Sequence, residues 1–472
     1  MSASYLHGVE TIEVKKGAKA ISVVKSAVIA LVGIAPKGAA QALTLVSNPT
    51  DGAQFGSPLT GFTIPQALDA IFKQGAGTVL VVNVFDSATH TSQVTAEAMT
   101  VTGYKTKTAF NPIDEVVVKN TGGTVTHTKG TDYSIDEYGN IVVLAGSAIV
   151  EGSSITATYK KLNGTAVNSA AIVGAIDGST GVHTGMQLFD QAYTLFGMKP
   201  RILIAPNYST LAGVGAELIV KANKYKGHCI IDAPAGTQVN AAITARGPAG
   251  TISNWNTGSK RAILAYPMLK AYDAATDSVV NTPFSQWLAG VIAATDNSLG
   301  YWVSPSNKQI LGVLGLELPI SADISDATSH ANLLNEKGIV TVFNSFGTGF
   351  RVWGNRSAAF PSMSSPEQFI CVQRTADVVH ESLELAQMDN MDAPVDQVLI
   401  DTIRDSGNMF VKTLIGRGAL VDGEVTFNPD KNPSTELAAG HILFSLSMMP
   451  PPPFERGTFE STLDINYLKS LK

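Results

Sequence analysis

Two hydrophobic periods take turns along this chain. AVIALVGIA at 27–35, set between Lys25 and Lys37, is an unbroken apolar run, long enough for one buried strand and too short to cross a bilayer. A turn rich in Gly and Pro follows, and TIPQALDAIFKQ at 63–74 then sets Leu68, Ile71 and Phe72 on one helical face. GAG at 75–77 ends that helix, and TVLVVNVF at 78–85 returns to the buried-strand pattern, completing a βαβ-like unit. The alternation resumes with a helix near 185–196, RILIAP at 201–206, a helix near 211–226, HCIIDAP at 228–234 and RAILAYP at 261–267. Apolar strands alternating with helices predict a largely parallel or mixed sheet covered on both faces.

Between 91 and 170 the period shortens to that of antiparallel strands. EVVVKN, TVTHT, YSID, NIVVL and ITATYK are separated by TGG, KGTD, EYGN and VEGSS, which predicts an inserted β domain at 91–170. It splits the α/β core into 23–90 and 171–355. From 356 the pattern is α+β, with a long helix within 366–388 and another within 395–420 that carries Val398, Ile400, Ile403 and Phe410 as core positions. This unit is assigned to 356–453.

The two ends differ from everything between them. In the segment 1–22, Val9, Ile12 and Val14 lie among Glu10, Glu13 and Lys15, a strand too polar to stand alone. It needs a sheet, its own or a neighbour's. Before the segment 454–472, four consecutive prolines, Pro450 to Pro453, impose a stiff extended spacer without amide donors. Beyond them Phe459, Leu463, Ile465 and Tyr467 occupy odd positions with mostly polar residues between, a strand with one apolar face. The expected fold class is therefore α/β and α+β, multidomain: a mixed-sheet α/β core, an inserted antiparallel β domain, and extended terminal strands acting as arms.

Composition narrows the function. Only 15% of the 472 residues are charged, well below the usual quarter, so either much of the surface is covered in an assembly or Ser- and Thr-clad sheets face solvent. A net charge of -6 without a long basic run argues against a nucleic-acid or anionic-membrane partner, and with no apolar run long enough to span a bilayer no direct membrane insertion is expected. Cys229 and Cys371 make no disulfide framework and read as buried small hydrophobes. MSASYLHGVE lacks the basic start and apolar block of a secretory signal, so none is expected.

Chemistry is hard to find. There is no P-loop, GxSxG elbow, HExxH or paired CxxC, and no two of the eight histidines stand at i, i+4, so no catalytic, metal or cofactor site is expected. GVGAE at 213–217 and GTGFRVWG at 347–354 loosely resemble dinucleotide fingerprints but read as turn and packing glycines. Asp232 and Asp296 would suit the strand-end carboxylates of an α/β enzyme, yet neither has a nucleophile, base or metal partner in view. RVWGNRS at 351–357 has three readings: an anion site built on two arginines, a satisfied structural corner, or an arginine-rich subunit contact.

Taken in order, HGVETIEV, LVGIAPKGA, FGSPLTGFTIPQALDAIFKQGAGTVLVVNVF, MKPRILIAPNYS, HCIIDAPAG, RAILAYP, LAGVIAATDNSLGYWVSPSNKQILGVLGLE and LNEKGIVTVFNSFGTGFRVWGNRS resemble the tail sheath family of contractile phage tails and related injection machines. The resemblance covers nearly the whole chain outside 91–170. Its signature residues here are Asp296, Trp353, Gly354, Asn355 and Arg356, and Ser357 stands where the family commonly has threonine. The resemblance implies a structural subunit without cofactors, polymerised in many copies as a helical homo-oligomer around a tail tube protein, with a baseplate and a tail terminator as further partners. It implies contraction from a metastable extended state, with both arms joined to neighbours' sheets and hinged at Gly8, Gly17 and Pro450 to Pro453. The inserted domain would face outward, and the location would be the virion tail, assembled in the host cytoplasm. The alternative is the sheath of a phage-tail-like bacteriocin or other contractile injection system. A hydrolase-like α/β enzyme is disfavoured by the missing nucleophile motif.

Overall fold

A computed structural model describes residues 21–344, 347 and 349–470. Its centre is an eight-stranded sheet made of β1 Ile29–Gly33, β2 Leu43–Val46, β3 Val79–Asn83, β4 Ile202–Ile204, β5 His228–Asp232, β6 Ala262–Ala265, β7 Ile339–Asn344 and β8 Phe350–Trp353. The strand order is β8-β7-β6-β5-β4-β1-β3-β2. The six inner strands run parallel, and β2 and β8 close the edges antiparallel. The principal helices are α1 Ile64–Lys73, α2 Val214–Tyr225, α3 Phe284–Ser298, α4 Ile370–Ala386 and α5 Gln397–Gly416.

Successive side chains of a strand point to opposite faces, and here both faces are buried. Ala30 and Val32 of β1 join a cluster with Leu218 and Ala222 of α2, whereas Ile29 and Leu31 join one with Leu68 and Ile71 of α1 and Leu288 and Ile292 of α3. This two-sided cover is why the inner strands are unbroken apolar runs. The helices α1 and α3 approach closely at Gly290, where a Cβ would stand 2.7 Å from Gln74 Cγ and 3.1 Å from Ile71 Cα.

The strands inserted between β3 and β4 form two small antiparallel sheets. One takes the order Thr91–Thr100, Ser154–Leu162, Val117–Asn120, Thr126–His127, and the other Lys105–Lys107, Asn140–Val143, Tyr133–Ile135. They bury a separate cluster that includes Val118, Ile141, Ile155 and Tyr159. Glu137 ties them to the core through Lys37 at 3.3 Å and through the Ser57 hydroxyl. After α5, a ribbon of β9 Asp422–Phe427 and β10 Phe444–Met449 packs Val425 against Phe410, Val411 and Leu414. The expected mixed α/β core, inserted antiparallel strands and α+β carboxy-terminal part are thus present.

Three expectations need revision. The helix expected at 185–196 is a 3-10 turn, Gly185–Gln191, followed by the short helix Ala192–Phe196. Gly185 enters it at φ +54 because its backbone abuts that of Gly174, where a Cβ would lie 2.7 Å from the Gly174 nitrogen. Val398, read as a core position, is 71% exposed; it lies about 200° around the helix from buried Ile400. Residues 451–464 have no regular structure, and Ile465–Ser470 form a 3-10 turn rather than a strand; among the described residues no strand pairs with them. Val9, Ile12, Val14, Gly8 and Gly17 fall outside the described residues. No helix among the described residues is long and apolar enough to cross a membrane.

Candidate assembly site at the 351–357 corner

The motif RVWGNRS leaves the sheet at the end of β8. Trp353 pairs with Thr341 of β7 and stacks on Phe343, with ring centroids 4.6 Å apart. Gly354 turns the chain at φ +129, and a Cβ there would lie 2.6 Å from Asn335 Oδ1 and 3.1 Å from Val340 Cα. Only glycine fits this bend. Gly354→Ala is expected to cost about 1–3 kcal/mol, read as a lower denaturation midpoint. The Asn355 carbonyl accepts from the Ile370 amide at 2.9 Å, so the corner caps the first turn of α4. Ser357 donates its amide to the Gln368 carbonyl at 2.8 Å, and Ala358 donates to Ala262 of β6 at 2.8 Å.

Arg356 is the one residue of the corner that reaches the proline-rich exit of the chain. Its Nε donates to Glu455 Oε1 at 2.8 Å and its Nη2 to Oε2, a bidentate fork, while Nη1 donates to Gln368 Oε1 at 3.1 Å. The guanidinium stacks 3.9 Å from the Phe360 ring centroid and 5.0 Å from that of Phe369. Arg351 has a different task and donates to the Asn307 carbonyl at 3.1 Å. The two arginines do not converge on one point, so the anion-site reading loses its geometry.

Helix α4 carries a second charged construction. Arg374, Asp377 and Glu381 fall on one helical face and are buried. Arg374 forks onto Asp296 of α3, with Nη1 to Oδ1 at 2.9 Å. Asp377 receives Arg261, with Nη2 to Oδ1 at 2.7 Å, and Glu381 pairs with Arg201 and with Lys199 at 3.0 Å. Burial pushes the Arg201 guanidinium down to about 10, which leaves it charged at neutral pH. The same helix holds the amino-terminal approach: Arg374 Nη2 donates to the Ser26 carbonyl at 3.1 Å, and Ser382 Oγ accepts from the Val24 amide at 3.2 Å. One helix therefore holds the approach of the chain to β1, and its first turn is capped by Asn355, next to Arg356.

The two isolated carboxylates have structural partners. Asp232, at the end of β5, accepts from the Ser285 amide at 2.7 Å, from the Ser285 hydroxyl and from Ser209 Oγ at 3.3 Å, anchoring the start of α3. Burial pushes its carboxyl up to about 6, against the pull of the donated hydrogen bonds. Asp296 belongs to the Arg374 fork. At the carboxyl ends of β1, β3 and β4, where α/β enzymes keep a ligand crevice, Ile34, Phe85 and Tyr208 lie in a buried apolar cluster with Met186 and Phe189.

In the carboxy-terminal ribbon the two edges differ. Asn408 of α5 donates Nδ2 to the Val425 carbonyl and accepts from the Val425 amide, both at 2.8 Å, so a side-chain amide seals the outer edge of β9. Among the described residues, no strand pairs with the outer edge of β10. Pro450 is buried, whereas Phe454, Phe459 and Leu463 are 89%, 98% and 99% exposed, and Ile465 and Tyr467 are also exposed.

Residues 181–358 match the phage tail sheath protein central domain, a segment that ends just past Ser357. Over 477 aligned residues the chain is 45% identical to the tail sheath protein of Burkholderia phage BcepMu, covering 100% of this chain and 99% of that one. This chain belongs to the phage tail sheath family. The fold of this sheath protein is shared by the helical sheath of the anti-feeding prophage in its contracted state, with TM-score 0.61 and 16% identity over 98% of this chain and 100% of that one. It is shared too by the contracted sheath complex of the extracellular injection system PVC, with TM-score 0.59 and 16% identity over 99% and 100% of the two chains. Of the signature residues, Trp353, Gly354, Asn355 and Arg356 form one corner, and Asp296 reaches it only through Arg374 and α4. Reading the sequence missed Arg374, Asp377, Glu381, Glu455 and Asn408. The i, i+3, i+7 spacing of the first three, on one face of a helix that also carries Val378 and Val379, was the available signal.

Proposed function

We propose that this sheath subunit polymerises as a helical tube around a phage tail tube and shortens from a metastable extended state to drive that tube through the host envelope. The observation that carries this reading is the exposed segment after the prolines, whose large apolar side chains remain exposed among the described residues. Helix α5 supports the ribbon on one face, and the outer edge of β10 offers main-chain donors and acceptors to a further strand. The occupant is the 459–467 strand of a neighbouring subunit, supplying Phe459, Leu463, Ile465 and Tyr467. The amino-terminal strand, with Val9, Ile12 and Val14, makes a second link between neighbours. Two packings of one subunit that differ by a few kcal/mol, summed over many copies, supply the work without a nucleotide.

The tail tube, the baseplate and a tail terminator are the further partners, and assembly takes place in the host cytoplasm before the tail becomes part of the virion. The 91–170 unit is assigned to the outside of the sheath, because an insertion on the bore side would collide with the tube. Its companions are a core at 23–90 and 171–355 and a carboxy-terminal unit at 356–453. The phage tail is favoured over a bacteriocin-like particle by the full-length relative, which is a phage protein. Electron microscopy of the concentrated subunit tests the reading: hollow striated tubes are expected, and dispersed particles even with tail tube and baseplate supplied would sink it.

A further inference from the structure

The prolines are the obvious place for the carboxy-terminal arm to bend, yet the stretch around them is held at both ends. Before it, the Val421 amide donates to the Met449 carbonyl at 2.8 Å and Pro450 is buried. After it, Glu455 is gripped by the Arg356 fork, whose guanidinium lies against the rings of Phe360 and Phe369. Between these points four consecutive residues have φ fixed by their rings, and each but the last is further restricted in ψ by the proline that follows. Beyond Glu455 the picture reverses. Among the described residues, 456–463 are exposed, have no regular structure and form no hydrogen bond or ion pair with the rest of the chain, and Gly457 is the first residue there without a Cβ.

We propose that Arg356 is a positioning residue for the carboxy-terminal arm. It clamps Glu455 so that 449–455 moves as part of the rigid core, and the bend occurs at Arg456, Gly457 and Thr458. The exit of the arm is then part of the 351–357 corner, which gives the second arginine of RVWGNRS a task distinct from folding the corner. It also moves the hinge expected at Pro450 and Pro453 several residues along the chain. The inference rests on the arm reading above only for what the bend is used for, because the clamp exists within one subunit.

Spin labels test it in the dissociated full-length subunit. Cys229 and Cys371 are buried, so a label goes to a cysteine introduced at Phe454 or, separately, at Thr458. The label at 454 is expected to move slowly and that at 458 rapidly. Arg356→Ala should bring the 454 label to the mobility of 458, and Arg356→Glu combined with Glu455→Arg should slow it again, which loss of a mere packing contact would not do. If Arg356→Ala fails to fold, Glu455→Ala removes the same fork from an exposed segment and leaves the core intact. Equal mobility at both positions in the otherwise unaltered chain, or a 454 spectrum indifferent to these substitutions, overturns the proposal. Tube formation by the unlabelled protein reports separately on the sheath reading.

Discussion

A chain ending at Pro453 is expected to melt within a few degrees of the full-length subunit and to form no tubes. The two halves of this expectation come from the same residues. Residues 454–468 are exposed throughout, and 456–463 bond to nothing else among the described residues, so their removal uncovers almost no apolar surface in the monomer. The largest loss within the subunit is the Arg356–Glu455 fork, whose carboxylate side is 37% exposed and so contributes modestly. In an assembly the same segment would bury Phe459, Leu463, Ile465 and Tyr467 and add a ladder of main-chain hydrogen bonds to β10, at roughly 1.5–3 kcal/mol for each large side chain fully covered. Repeated at every subunit, that loss abolishes the lattice. Electron microscopy with thermal melting of the same sample separates the outcomes: tubes from the truncated chain remove the arm from the assembly mechanism, and an early melt shows that the segment had a folding role instead.

How much of this was legible depended on where the physical constraint lay. The inner strands could be read because burial on both sheet faces removes the polar positions that would blur them, and 79–83 and 228–232 appear close to where their apolar runs predicted. Helix α1 was legible for the complementary reason, with one apolar stripe and a glycine stop. The charged contacts were not legible. Arg356 and Glu455 are 99 residues apart, and Arg261 and Asp377 are 116 apart. A carboxylate or guanidinium seen alone in sequence reads as solvated surface, and only the topology supplies its partner. The segment 459–467 differs again: its alternation is in the sequence, but among the described residues no strand lies beside it to pair with.

Arg374→Ala is expected to cost about 3–5 kcal/mol, the largest loss from any single substitution considered, because it strands the Asp296 carboxylate in the interior. Both side chains are almost fully enclosed, at 6% and 1% exposure, so water does not replace the guanidinium. Replacing both partners with apolar residues of similar size, Arg374→Met with Asp296→Leu, should recover most of the loss, since the desolvation cost of the pair disappears along with its attraction. Denaturant unfolding of the two single variants and the double variant gives the coupling directly. A second consequence reaches the other end of the chain. Arg374 also donates to the Ser26 carbonyl, so both Arg374→Ala and the double variant should loosen the approach to β1 and hasten tryptic cleavage after Lys25, even where the double variant restores stability. Stability recovered without slower cleavage would separate two tasks of one arginine: joining α4 to the core, and holding the approach to β1 at Ser26. Slow cleavage in both variants would mean that the Val24–Ser382 hydrogen bond alone holds that point.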